Sequence, residues 1–68
     1  MKRTSSEAFE AILKGLSLAE ASLRLPGHLS LRVLFQDGKF VGKLGPDDPD
    51  RINVWVTKGR ITDVPYVG

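Results

Sequence analysis

Apolar and polar residues alternate with a helical period over the first third of the chain. Thr4 and Glu7 stand at the spacing of a capping box, in which two side chains bond the free amides of a helix start. Apolar residues follow at helical intervals, so the pattern predicts a first helix over residues 4–13. Ser17 and Glu20 repeat the same spacing and predict a second helix, which a Pro-Gly pair ends.

Beyond residue 28 the pattern changes to the two-residue alternation of half-buried strands. It covers residues 29–36 and 51–57. Residues 61–67 follow a Lys-Gly turn signal and predict a strand that folds back antiparallel on the second one. Because Pro65 lacks a backbone donor, this last strand must lie at a sheet edge or be short. The apolar face of the first strand comprises Leu29, Leu31, Val33 and Phe35.

The segment of residues 36–49 leaves two folds open. We expect an α+β fold in which one main helix packs on a small mixed sheet and an extended binding loop joins two parallel strands. The alternative is a pair of helices followed by an antiparallel β-meander. Asp37-Gly38 favours that alternative because it suits a two-residue hairpin turn, with Phe35 and Phe40 placed to pair across it.

Trp55 also has two interpretations. It can fill the core beneath the helix, or it can lie on the outer face with Arg51 and Asn53 as a binding platform. We prefer the core position because a domain of this size must recruit much apolar area. The same choice applies to Phe40 and Val41, which are either hairpin partners or apolar residues of an exposed loop.

The composition indicates one small domain without covalent cross-links. A chain of 68 residues, 41% of them apolar, can form one core and not two, so residues 1–68 are a single domain. The chain contains no cysteine, so the fold is disulfide-free and must be stabilised by packing and local backbone chemistry.

The residue types that catalysis requires are scarce. His28 is the one histidine, and the five serines have no second base or cysteine to work with. Ser17 is explained as a helix cap, and a metal site needs several converging ligands. We therefore expect no enzyme, no catalytic residue, no metal and no cofactor, but a protein that acts by binding another protein.

The charge distribution argues against nucleic acid as the partner. Ten basic and eight acidic residues give a formal charge of +2, and the basic positions are scattered from Lys2 to Arg60. Binding to nucleic acid requires a patch or stripe of cations. No apolar run approaches the ~18 residues of a membrane span, and none follows the first residues as a signal peptide does. We expect no membrane partner and, by default, a cytoplasmic location.

Two segments resemble the potato inhibitor I family of serine-protease inhibitors, which includes eglin and the barley chymotrypsin inhibitor. Residues 15–21, Gly-Leu-Ser-Leu-Ala-Glu-Ala, are similar to the family's helix start, Gly-x-Ser/Thr-x-x-Glu/Gln-Ala. Residues 50–56, Asp-Arg-Ile-Asn-Val-Trp-Val, are similar to its Asp/Asn-Arg-Val-Arg-Val-Phe strand. Residues 64–68, Val-Pro-Tyr-Val-Gly, match its closing Val-Pro-x-Val-Gly.

The resemblance implies an inhibitor of subtilisin-type or chymotrypsin-type proteases. The family presents the loop between its parallel strands to the protease cleft and holds it rigid with the arginine that begins the next strand. Transferred to this chain, the loop is residues 41–49 and its supporting residues are Arg51 and Asn53. The residues implied to contact the protease are Lys43, Leu44, Gly45, Pro46 and Asp47.

The loop departs from the family pattern. Counting back from Arg51 without gaps places Gly45 at the specificity position and Pro46 directly after it. Proline after the scissile bond fits serine-protease clefts poorly, and a shift of register places Leu44 there instead. The second arginine of the family's strand is replaced by Asn53.

These departures keep a second functional class open. The chain can be a protein-interaction or self-assembly module without inhibitory activity. In that hypothesis it is a homo-oligomer joined through sheet edges or through an exposed face around Phe40 and Trp55.

Overall fold

The fold, seen in a computed structural model, is a small α+β domain of two helices packed on a four-stranded mixed sheet. The structure describes residues 6–42 and 45–68. Helices lie at both places that the sequence predicts, and they have similar lengths of 8 and 7 residues, so neither is a single main helix. The elements are α1 (Ser6–Leu13), α2 (Leu18–Arg24), β1 (Ser30–Gln36), β2 (Lys39–Phe40), β3 (Arg51–Thr57) and β4 (Arg60–Val67).

The capping box predicted for the second helix is confirmed. The Ser17 backbone amide donates to Oε1 of Glu20 at 3.0 Å, and the Glu20 amide donates to Oγ of Ser17 at 3.2 Å. Each side chain satisfies an amide that the first helical turn leaves unpaired. The helix ends before Leu25, whose extended backbone leads into Pro26. Of the predicted first helix, residues 4 and 5 lie outside the described residues.

The sheet has the strand order β2-β1-β3-β4. β1 and β2 form the Asp37-Gly38 hairpin, in which Phe35 pairs with Phe40. β3 nevertheless lies next to β1 and runs parallel to it, so the meander alternative is wrong. The predicted hairpin is therefore present, but it is short, because β2 has only two residues. The chain then crosses back and begins β3 beside the start of β1.

β4 closes the sheet as an antiparallel partner of β3, and it lies at an edge, as Pro65 requires. The turn before it has positive φ at both central residues, 52° at Lys58 and 78° at Gly59. Asp37 and Gly38, with φ of 53° and 83°, have the same geometry in the first hairpin. The two turns are joined because the Lys58 amide donates to Oδ1 of Asp37 at 2.8 Å.

The core lies between the helices and one face of the sheet. Its β3 members follow the predicted alternation, with Ile52, Val54 and Val56 buried. Burying an aliphatic side chain of this size stabilises a fold by about 1.5 to 3 kcal/mol, so these positions matter most in a domain with no disulfide. The remaining buried members of the cluster are Leu13, Ala21, Ile61 and Val64.

A bulge in β1 moves Phe35 off the helix side of the sheet. The register with β3 shifts between Val33 and Phe35, so that Phe35 pairs with Trp55. The prediction that Phe35 shares a face with Val33 is therefore wrong, because Leu34 is an extra residue in the ladder. Trp55 is 39% exposed, so the prediction that it fills the core is wrong as well. It alternates with the buried β3 residues and faces away from the helices.

Candidate binding loop and its supporting side chains

The connection between β2 and β3, residues 41–50, is tied down at both ends. At its start the amides of Val41 and Gly42 donate to the Leu34 carbonyl at 2.8 and 3.2 Å. At its end the amides of Asp50 and Arg51 donate to Oδ1 and the carbonyl of Asp48 at 2.9 and 3.0 Å. None of the described loop residues belongs to a strand. The connection is a loop with fixed ends.

The sequence-predicted contact residues fall into two groups. Gly45, Pro46 and Asp47 are all exposed and follow one another at the surface of the loop. Lys43 and Leu44 lie outside the described residues.

Arg51 connects this loop to the body of the domain. Its Nη2 donates to the Pro46 carbonyl at 2.7 Å, and its Nε donates to the Gly68 carbonyl at 2.9 Å. The Gly68 amide in turn donates to the Arg51 carbonyl at 2.8 Å. Because guanidinium hydrogen bonds are charge-assisted, they are stronger than neutral ones. One side chain therefore holds a loop carbonyl against the end of β4.

Asn53 lies one alternation further along β3 and is fully buried. Its Nδ2 donates to the carbonyls of Tyr66 and Gly68 at 3.2 and 3.1 Å. Its Oδ1 accepts from Nε of Arg32 at 2.6 Å. The Asn53 side chain therefore donates two hydrogen bonds and accepts one, as a buried amide group requires.

Arg32 and Tyr66 complete the arrangement, and sequence reasoning missed both. They are the cross-strand partners of Asn53 in β1 and β4, so one row of the sheet brings the three side chains together. Nη2 of Arg32 also lies 3.4 Å from the Tyr66 hydroxyl. The alternation along β1 places Arg32 on the polar face. That Asn53 is its neighbour follows only from the strand order, which sets β3 beside β1. We call Arg32, Arg51, Asn53, Tyr66 and Gly68 the support network.

Gly42 is a second residue that sequence reasoning missed. A Cβ at this position would lie 2.8 Å from Cδ2 of Leu34 and 3.1 Å from its Cα. It would also lie 3.1 Å from the carbonyl oxygen of Val33. Only a residue without a side chain lets the loop leave the sheet this close to the β1 backbone.

The outer face of the sheet carries a row of aromatic rings. Phe35 stands between Phe40 and Trp55, with ring centroids 5.5 and 5.0 Å away and edge-to-face geometry. Phe40 is 51% exposed. Edge-to-face pairs of this kind are favourable beyond the area they bury. The row therefore stiffens the hairpin and still presents apolar surface to solvent.

The carboxyl of Glu20, in the first turn of α2, has a shifted pKa. Hydrogen bonds from the backbone of Ser17, and then from its side chain, lower the pKa of Glu20 below its ordinary value of 4.5. Desolvation acts in the opposite direction, and the charges of Arg60 and then Arg24 lower the pKa of Glu20 further.

Across residues 6–42 and 45–68, no three acidic, histidine or cysteine side chains come together as a metal site. Among the same residues, no helix combines the length and apolar character that a membrane crossing requires.

The chain matches no protein-family model, no curated protein and no solved structure.

Proposed function

We propose that the chain binds a serine protease of the subtilisin or chymotrypsin type through residues 41–49 and inhibits it. The observation that carries the proposal is the contact of Arg51 with the Pro46 carbonyl, because it is the kind of support that the family resemblance implies. In this proposal the chain is the ligand of an enzyme and has no catalytic role of its own.

A supported loop favours tight binding for an entropic reason. Ordering a free backbone costs about 1 to 2 kcal/mol per residue. A loop fixed at Leu34, at Asp48 and through Arg51 has met much of that cost before it meets the protease. More of the contact energy then appears as affinity.

The same support bears on why an inhibitor would resist turnover. If the protease cuts the loop, Arg51 and the Leu34 carbonyl still hold the two new ends close to the sheet. Ends that stay in place favour religation over release, so the complex persists.

We assign the primary specificity position to Leu44. An apolar side chain suits the apolar pocket of chymotrypsin-type and subtilisin-type enzymes, and Gly45 offers no side chain to fill it. This register also moves Pro46 one position beyond the residue after the scissile bond. The assignment rests on the chemistry of the residues, since Leu44 lies outside the described part of the structure.

Titration of subtilisin and chymotrypsin with the protein tests the proposal. We expect inhibition at submicromolar concentration. Leu44→Ala should raise the inhibition constant roughly 60-fold, because it removes about three buried carbons at ~0.8 kcal/mol each. Leu23→Ala is the matched control, since Leu23 is 86% exposed on α2 and its loss should change nothing. Absence of inhibition at micromolar concentration for both enzymes would sink the proposal.

The aromatic row favours a second candidate, self-association without inhibition. Exposed apolar patches of this kind mark interaction surfaces, and two copies can stack Phe40 and Trp55 across a twofold axis. Sedimentation over a wide concentration range tests it. The wild type should dimerise and Phe40→Ser should not, whereas a wild type that stays monomeric throughout excludes this candidate.

A further inference from the structure

The buried amide of Asn53 has one orientation that suits its surroundings. Nδ2 faces the carbonyl oxygens of Tyr66 and Gly68, while Oδ1 faces the guanidinium of Arg32. Turning the amide over would set an oxygen against two carbonyl oxygens and an NH₂ group against a cation. Because Arg32 accepts no hydrogen bond, it fixes which end of the amide points at Gly68.

The Gly68 carbonyl passes this orientation on to Arg51. It accepts from Nδ2 of Asn53 at 3.1 Å and from Nε of Arg51 at 2.9 Å. A guanidinium is planar and rigid, so holding Nε also sets the direction of Nη2. Nη2 is the group that donates to the Pro46 carbonyl. The loop contact therefore depends on a carbonyl that Asn53 helps to hold.

We propose that Arg32 is a positioning residue for the loop, acting through Asn53 and the Gly68 carbonyl on Arg51. The family's strand carries a second arginine where this chain has Asn53. Here the neighbouring strand β1 supplies the second guanidinium, and Asn53 connects it to the first. The effect of Arg32 on inhibition rests on the function proposed above, but its effect on Arg51 is a property of the free protein.

The test uses NMR of the whole free protein and needs no protease. The probe is the exchange rate of the Arg51 Nε proton, which the Gly68 carbonyl protects. Arg32→Gln should accelerate this exchange about tenfold relative to the wild type. The order parameters of the Asp47 and Asp48 amides should fall together with it. Arg32→Lys should recover part of the protection, because an ammonium group can still donate to Oδ1 of Asn53.

Two controls separate positioning from general loosening. Exchange of the Val54 amide in the buried centre of β3 reports global opening, and it should change much less than the Arg51 proton. Tyr66→Phe removes only the hydroxyl 3.4 Å from Nη2 of Arg32 and should leave the Arg51 proton protected.

Unchanged Arg51 exchange in Arg32→Gln overturns the proposal. So does an acceleration that the Val54 amide matches, because Arg32 would then be only a stabilising residue. If the wild type fails to inhibit any protease but Arg51 responds as described, the positioning role stands and the proposed function fails.

Discussion

Gly42 shows how a single missing side chain shapes the start of the loop. Gly42→Ala sets a methyl carbon against Leu34, including its Cα, so the loop must move away from β1. We expect a loss of about 1 to 3 kcal/mol in the free energy of unfolding, as for other overpacked sites. Urea denaturation measures it.

The control for this change lies in the same loop. Gly45 has no atom within 4 Å of the position that a Cβ would occupy. Gly45→Ala should therefore stay within about 0.5 kcal/mol of the wild type. Equal losses of unfolding free energy for the two substitutions would show that the close approach of Gly42 to β1 does not make Gly42→Ala more destabilising.

Glu20 makes the helix cap sensitive to acid. Its pKa is lowered in the folded state, so the ionised cap contributes stability above pH 4.5, and this contribution is lost as the pH falls through the folded pKa. Glu20→Gln keeps a side chain able to serve the capping box but removes the titration. The stability difference between wild type and variant should shrink on acidification below pH 4.5. A difference that is constant from neutral pH to pH 3 would contradict this assignment.

At the scale of elements, the β3-β4 hairpin depends on its turn. Gly59 has a φ of 78°, a region in which other L-residues are strained. Gly59→Ala should reduce the free energy of unfolding by about 1 to 2 kcal/mol. Gly27→Ala is the control, since Gly27 has neither a positive φ nor a neighbour within 4 Å. Thermal unfolding of both variants distinguishes them, and a similar loss for Gly27→Ala would remove the conformational explanation.

Elements whose signals are local were predicted correctly from the sequence. The capping box at Ser17 and the alternation from Ile52 to Val56 need only neighbouring residues to act, and both are confirmed. Trp55 was wrongly placed in the core because the need for buried apolar area was given more weight than the alternation of β3, which sets Trp55 opposite Ile52, Val54 and Val56. The placement of Phe35 was wrong because one extra residue, Leu34, inverts the alternation in β1. A bulge of this kind has no signature in the pattern of apolar residues.

The choice between hairpin and parallel sheet could not be made from local signals either. Both pairings exist, and their coexistence depends on β2 being only two residues long. The candidate site shows the same limit. Arg51 was identified through the family resemblance, whereas Arg32 is 21 positions away from Asn53 and meets it only through the strand order.

At the scale of the whole molecule, the loop follows the β1-β2 hairpin and leads into β3, which is paired with β1 over most of its length. A cut between Leu44 and Gly45 would leave β1 and α1 on one fragment and β3 and β4 on the other. Since α1 packs on β4 and β1 pairs with β3, the fragments share one core. We expect the nicked protein to remain a folded, noncovalent complex.

Native mass spectrometry and size-exclusion chromatography of the nicked protein check this expectation. The complex should have the mass of the intact chain plus one water and should elute with it. Separation of the fragments under native conditions would show that the sheet cannot hold the cut ends, and the argument for slow turnover would fail with it.

The bond between the Lys58 amide and the Asp37 side chain gathers both hairpin turns at one tip of the domain. Arg51 begins β3 and Lys58 follows its last residue, so seven residues of strand, about 23 Å, separate that tip from the support network. A fluorophore or an immobilisation tag attached at this tip would therefore lie far from the support network. A sensor anchored there would keep the attached group away from the exposed residues 45–47.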